Sequence, residues 1–167
     1  GFTRQSSKTT YNESRTSNFT NETLKQNNLG DGSEVYTPIS SLTKSTLSSI
    51  IARVNYTLLE RYNLTATYRA DNSSRFAANH RWGYFPSLGL SWNIDREPWL
   101  KRARHLDYLK LRLSGGLVGN QEIPDYAYAT SYSTGSYGGS SSYTRSTTVN
   151  SNLKWETTTT RNLGMDF

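Results

Sequence analysis

The sequence predicts an all-β fold of antiparallel strands, and three observations predict it. Five segments alternate apolar and polar side chains with period two, no segment sustains a helical stripe, and the connections between segments alternate between short and long.

The elements follow in chain order. In 49–58 (SIIARVNYTL), Ile50, Ala52, Val54, Tyr56 and Leu58 oppose Ile51, Arg53, Asn55 and Thr57. In 62–69, Tyr62, Leu64, Ala66 and Tyr68 oppose Asn63, Thr65, Thr67 and Arg69. From Leu88, Leu90, Trp92 and Ile94 alternate with Gly89, Ser91 and Asn93. Leu109, Leu111 and Leu113 oppose Lys110, Arg112 and Ser114, and Leu163, Met165 and Phe167 oppose Asn162, Gly164 and Asp166. A short turn is expected at Leu59–Arg61, a long polar loop at 71–83, and a mid-sized connection at 95–107 in which Pro98 starts one helical turn. The Tyr/Ser/Gly tract 119–150 is expected to hold a ragged strand pair, and a short turn is expected at Asn150–Lys154.

Which row faces inward is the next question. Hydrophobic residues are 34% of the 167, Ser and Thr supply 44, and the first 48 residues hold only ten apolar or Tyr side chains. A soluble domain of this length carries more apolar residues. Aromatic residues stand near strand ends at Tyr62, Tyr84, Trp92, Tyr108 and Trp155, as at the two edges of a membrane band. The residues alone leave two readings open: a soluble barrel or sandwich with a solvated charged face, and a transmembrane barrel with its apolar row on lipid. No run approaches a membrane helix, and a barrel strand needs only about 9 to 11 residues. The chain starts GFTRQSSKTT, without initiator Met or signal peptide, and reads as a piece of something longer.

Sharper chemistry finds little footing. Zero Cys excludes a disulfide framework and a thiolate metal site, and no cofactor or metal is expected. His80 and His105 both lie in connections, and no G-x-S-x-G, H-E-x-x-H or phosphate-cradling loop is present, so the chain is read as a non-enzyme. Asp95 and Glu97 flank a turn and are expected to be solvated. Net charge +6 and the cluster Lys101, Arg102, Arg104, Lys110, Arg112 with Tyr108 raise nucleic-acid binding, but a turn followed by a polar strand row explains the same charges without that partner. A secreted adhesin or carbohydrate-binding module is the remaining alternative. It is prompted by six Asn-x-Ser/Thr triplets, at Asn12, Asn18, Asn21, Asn55, Asn63 and Asn72.

Four stretches decide between the open readings: RYNLTATYRADNSSRF (61–76), FPSLGLSW (85–92), LKLRLSGGLVGNQ (109–121) and LKWETT (153–158). In order and spacing over 51–167 they resemble the β-barrel of the SusC/RagA family of TonB-dependent outer-membrane transporters from Bacteroidetes. Asn72 stands where the family usually has Gly, and Asn tolerates the same left-handed turn. Gly116 stands where an aromatic or another small residue is commoner. Residues 1–50 fit only loosely, as variable strands with an outer loop.

The resemblance implies part of a 22-stranded transmembrane barrel, here roughly 6 to 8 strands. By the same resemblance the plug domain and TonB box are expected to lie outside this stretch, and Phe167 is expected to fall within an internal strand. It implies active import of glycan oligosaccharides or peptides, residence in the bacterial outer membrane in contact with its lipid, a SusD-like lipoprotein lid, and TonB as energy source. The motif residues Arg69, Asp71, Ser73, Ser74, Arg75, Trp155 and Glu156 are expected to be architectural. Arg75 is expected to pair with Asp71, while Lys154 and Glu156 bracket a periplasmic turn and Trp155 anchors the inner interface. Substrate contacts are expected in the outer loops 71–83 and 119–143. There Trp82, Tyr128, Tyr132, Tyr137 and Tyr143 could stack on sugar rings, and Asn79, Asn120 and Gln121 could bond hydroxyls.

Overall fold

A computed structural model describes residues 1–21, 23–24, 27–100, 106–145 and 149–167. Ten strands account for most of them: β1 Phe2–Glu13, β2 Thr16–Phe19, β3 Gly32–Val35, β4 Ile39–Leu58, β5 Tyr62–Ser73, β6 Trp82–Asn93, β7 Lys110–Asn120, β8 Tyr132–Tyr137, β9 Ser140–Arg145 and β10 Glu156–Asp166. Six form one open sheet in the order β1-β4-β5-β6-β7-β10, while β2–β3 and β8–β9 are separate two-stranded ribbons. The chain divides into two units, Ser6–Ser45 on one hand and Gly1–Gln5 with Thr46–Phe167 on the other. In the first, β2 pairs with β3, Ser17 donates to Glu34 at 2.7 Å, and Arg15 stands 5.0 Å over the Tyr36 ring.

In the second unit, neighbouring strands from β4 to β10 run antiparallel, so every alternating segment read from the sequence keeps one parity across the ladder. Leu58 faces Tyr62, Tyr62 faces Trp92, and Trp92 faces Leu111, which faces Met165. A second line runs Tyr56, Leu64, Leu90, Leu113 and Leu163. These residues make one apolar face. The opposite face is cross-linked by polar rungs: Arg53 Nε to Thr67 Oγ1 at 3.1 Å, Thr65 Oγ1 to Asn55 Oδ1 at 2.9 Å, and Asn63 Nδ2 to Ser91 Oγ at 3.2 Å.

Burial shows that the apolar row is uncovered. Among the described residues the only buried hydrophobic side chains are Ala70, Phe76 and Phe85, whereas Val54, Tyr56, Leu88, Leu90, Leu113 and Leu163 are all exposed. A soluble sandwich would cover that row with a second layer. No described residue does so.

One end of the sheet has a short connection. Leu59 and Glu60 both adopt left-handed backbone, φ 54° and 56°, in the tight hairpin between β4 and β5, a conformation in which Asn and Gly are preferred. The turn is held from outside: Asn93 Nδ2 and Arg96 Nη1 both donate to the Glu60 carbonyl, at 3.1 and 3.2 Å. The turn expected at Pro98 is closed by the Leu100 amide on the Glu97 carbonyl at 3.0 Å, and a 3-10 turn at Ile94–Arg96 precedes it. The same end also carries the connection 94–109 between β6 and β7, and the other end carries 74–81 and 121–155. The expected strand pair within the latter is β8–β9, closed by Gly138 and Gly139 at φ 59° and 81°.

Candidate loop-bearing rim and the knot beneath it

At the end that carries 74–81 and 121–155, three aromatic rings from distant parts of the chain meet. Phe76 is fully buried, with its centroid 5.1 Å from that of Trp155. Phe85 stands edge-on to Trp155 at 5.3 Å. Phe85 points to the polar face because it pairs with Arg69 on β5. Glycine makes the space: a Cβ at Gly119 would lie 2.0 Å from Phe85 Cζ, and one at Gly83 would lie 2.6 Å from the same atom. The indole N–H of Trp155 donates to the Arg81 carbonyl at 2.9 Å, and that carbonyl also accepts from the Ser73 amide at 3.0 Å.

Around the rings, the segment DNSSRF takes its shape residue by residue. Asp71 is buried and held by Arg69 Nε at 2.8 Å. Ser73 Oγ accepts from the Arg75 amide, and Ser74 exchanges two bonds with Thr46 on β4. Arg75 turns away from Asp71 and pairs with Asp125 at 2.9 Å, fifty positions on, while its Nη1 reaches the Gln121 carbonyl at 3.5 Å. The expected Arg75–Asp71 pair is therefore corrected. Asp71 lies within β5 beside its near neighbour Arg69, and Arg75 is already past the strand end.

Trp155 requires a second correction. The turn at 150–154 exists, with the Leu153 amide on the Asn150 carbonyl, but it lies inside the long connection. Glu156 faces Asn120 across the ladder, so Lys154, Trp155 and Glu156 stand at the loop-bearing end and not at the short-turn end. The turn is local, whereas the register of β10 against β7 fixes which end it belongs to.

Pro86 marks a seam in the wall. It has no amide proton to donate, and the β6–β7 register runs from Asn93↔Lys110 to Ser87↔Gly116 and stops there. On either side the ladders continue, β5–β6 to Asn72↔Trp82 and β7–β10 to Asn120↔Glu156. The Phe85 ring against Gly119 joins the two strands where the backbone does not.

The expected substrate-contacting residues separate into groups. Trp82 opens β6 and shares the apolar row with Tyr84, on which it stacks at 6.4 Å. Tyr84 in turn stacks on Tyr68. Asn120 is tied within the rim, donating to Glu156 at 3.0 Å and accepting from the Glu122 amide. Gln121 holds Arg75 through its backbone, Asn79 is exposed in a 3-10 turn, and Tyr128 is half-buried. Tyr132 and Tyr143 are exposed and share one face of the β8–β9 ribbon with Arg145, while Tyr137 is on the other.

At the opposite end the structure contains a site the sequence did not reveal. Glu97, expected to be solvated, is buried: its Oε1 accepts from Tyr62 Oη at 2.6 Å and Trp92 Nε1 at 2.9 Å, and its Oε2 accepts from Arg61 at 3.1 Å. The hydrogen bond from Tyr62, then that from Trp92, hold its carboxyl below the ordinary carboxylate range. Tyr62 and Trp92 also stack at 6.1 Å. Of the basic cluster, Lys101, Arg102 and Arg104, with His105, lie outside the described residues. Arg112 is committed to Asp166. Among the described residues no group of three His, Cys, Asp or Glu could hold a metal.

The four quoted stretches thus converge on one rim and its flanking strands. The family described as "TonB dependent receptor-like, beta-barrel" matches residues 2–167. The chain belongs to that family. It is 47% identical over 133 residues, 75% of its length, to the TonB-dependent receptor SusC of Bacteroides thetaiotaomicron, and 34% identical over 151 residues to the TonB-dependent receptor P3 of Formosa agariphila. It spans 13% and 15% of those proteins. The RagAB peptide importer in its closed-closed state aligns over 82% of the chain and 16% of its own, at TM-score 0.73 and 27% identity. The RagAB peptide transporter aligns over 98% of this chain and 21% of its own, at TM-score 0.77 and 22% identity, a likeness of fold. These TonB-dependent relatives are named as receptors and transporters, and the family places the sheet in a TonB-dependent receptor β-barrel.

Proposed function

We propose that this segment is barrel wall and rim in an importer of oligosaccharides or peptides across the outer membrane, its apolar face on lipid and its polar face on the lumen. Both cargo classes have support: SusC is the relative at 47% identity, and the RagAB structures are named for peptides. The whole transporter would carry a SusD-like lipoprotein outside and draw energy from TonB through a plug.

The observation that carries the reading is the spacing of stacked aromatics on the exposed apolar face. Trp82, Tyr84 and Tyr68 gather at one level, Tyr62 and Trp92 at another. Trp82 and Trp92 are ten residues apart on one strand, about 33 Å of chain, which at the usual tilt of about 40° spans about 25 Å of depth, the height of a barrel's apolar band. Trp82 therefore serves the outer interface in this reading and leaves the set of sugar-stacking candidates. A soluble carbohydrate-binding module would have to sequester a row that is exposed.

Cargo contact is assigned to the β8–β9 ribbon, where Tyr132 and Tyr143 offer adjacent rings on one face beside Arg145, with Tyr128 and Asn79 as further candidates. Sidedness is tested with the Leu90→Cys and Ser91→Cys variants of the full-length transporter in membranes. A charged aqueous thiol reagent is expected to label the Ser91→Cys protein and spare the Leu90→Cys protein. Equal or reversed labelling would sink the reading.

A further inference from the structure

One charged side chain on the apolar face has no counterpart among the described residues. On β10 the row on this face is Met165, Leu163, Arg161, Thr159 and Thr157, apolar up to Leu163 and polar from Arg161 onward. Among the described residues no hydrogen bond or ion pair engages the Arg161 side chain. It faces Gly115 on β7, which faces Leu88 on β6. Leu88 is four residues inside Tyr84, well within the apolar stretch of its own strand. The polar boundary therefore steps along the sheet, reaching Arg161 on β10 and Tyr84 on β6, as strand tilt requires.

Along this same register line the face is hollowed. Val54, Ala66, Leu88, Gly115 and Leu117 line a groove of about 640 Å³ with Arg161 at one end and Ala52 at the other. The hollow exists because Ala66 and Gly115 lack the bulk of their neighbours on the same face, Tyr68 and Pro86 on the loop side and Leu64 and Leu90 on the other. It begins at the polar boundary and runs beneath it.

We infer that this groove seats an acyl chain of a phosphorylated membrane lipid, with the Arg161 guanidinium on its phosphate. The inference rests on the reading that this face meets lipid. A guanidinium presents a planar fork of donors that matches a phosphate bidentately. A cation on the lipid face of a barrel is costly at the bilayer midplane and tolerated at the interface, where a headgroup phosphate is within its reach. Headgroup phosphates lie at the boundary where Arg161 stands, and the chain below such a headgroup would follow the hollow.

The test is native mass spectrometry of the full-length transporter extracted in mild detergent, comparing wild type with Arg161→Gln and with Ala66→Phe. The second variant fills the groove and leaves the charge. Wild type is expected to retain a phosphorylated lipid, and each variant to retain at least tenfold less while keeping its heat-resistant compact form on gels. Equal retention in all three proteins, or no lipid on wild type, overturns the inference. Displacement of the lipid by millimolar inorganic phosphate also overturns it, because the site would then read phosphate alone. Should Arg161 instead pair with a carboxylate of the neighbouring strand, Arg161→Gln lowers the unfolding temperature and leaves lipid retention unchanged, which overturns it too. Failure of the sidedness reading shows separately, in reversed labelling of the Leu90→Cys and Ser91→Cys proteins.

Discussion

The indole of Trp155 donates its N–H to the carbonyl of Arg81, 74 positions earlier, at 2.9 Å. That bond links the return of the long connection to the end of the shorter one. Trp155→Phe keeps a ring against Phe76 and Phe85 but loses the bond, and should cost about 1 kcal/mol. Trp155→Ala loses both ring contacts as well and should cost about 3 kcal/mol. Urea unfolding of the full-length transporter in detergent, followed by the compact gel band, measures both.

Gly119 is required by the Phe85 ring, which would stand 2.0 Å from an added methyl. Gly119→Ala should destabilise by about 1 to 3 kcal/mol through overpacking. Adding Phe85→Leu should recover part of that loss, so a double-mutant cycle should show a coupling of at least about 0.5 kcal/mol. Strict additivity would mean that the seam is not closed by this contact.

The pair of Arg75 and Asp125 tethers the long connection to the 74–81 loop. With Arg75 replaced by Ala, limited proteolysis of the transporter should cut within 121–155 several-fold faster, while the strand registers and the Leu90→Cys and Ser91→Cys labelling pattern persist. An unchanged cleavage rate would remove the tether from the account.

How far these features were legible in the sequence depends on distance along the chain. The strands were readable because alternation is local: Leu88, Leu90 and Trp92 declare their row without help from any other segment. The extension of β6 back to Trp82 was hidden, because Phe85 on the polar face and Tyr84 on the apolar face erase the contrast that alternation depends on. The position of Trp155 was misread because a four-residue turn looks the same at either end of a barrel, and only pairing with β7 decides which. Arg75 found Asp125 fifty positions away, although a carboxylate four positions back was the nearer choice in sequence. Glu97 was taken for a solvated loop acid because its partners, Tyr62 and Trp92, are assembled by the β5–β6 register and belong to no motif.

Glu97 makes the short-turn end sensitive to acid. Its carboxyl is held below the ordinary carboxylate range by its bonds from Tyr62 and Trp92, so the unfolded chain takes up a proton at a higher pH than the folded one does. The stabilisation is complete above the ordinary carboxylate pKa and is lost as pH falls through the lower folded value. Unfolding midpoints measured from neutral pH down to about pH 3 should decline for wild type and decline less steeply for Glu97→Gln. Parallel slopes would show that the carboxylate is not the titrating group.

The left-handed pair Leu59 and Glu60 costs more than the turn needs. Replacing it with Asn-Gly should stabilise the hairpin by about 1 to 2 kcal/mol, reduced slightly by loss of the exposed Glu60–Arg96 pair. A raised urea midpoint would support this, and a lowered one would show that the Leu59 side chain has a partner beyond this segment.

Asn120 and Glu156 are 36 positions apart in sequence yet stand opposite each other in the ladder. Gln121, Asp125 and Trp155 tie the two ends of the intervening chain to the rim, and the described residues between those ties depart from the staves through a single doorway. Lengthening, trimming or exchanging that excursion shifts no pairing elsewhere, and its closure entropy grows only slowly with length. A lineage can therefore trade one exterior reading head for another while the hoop that carries it stays as it was.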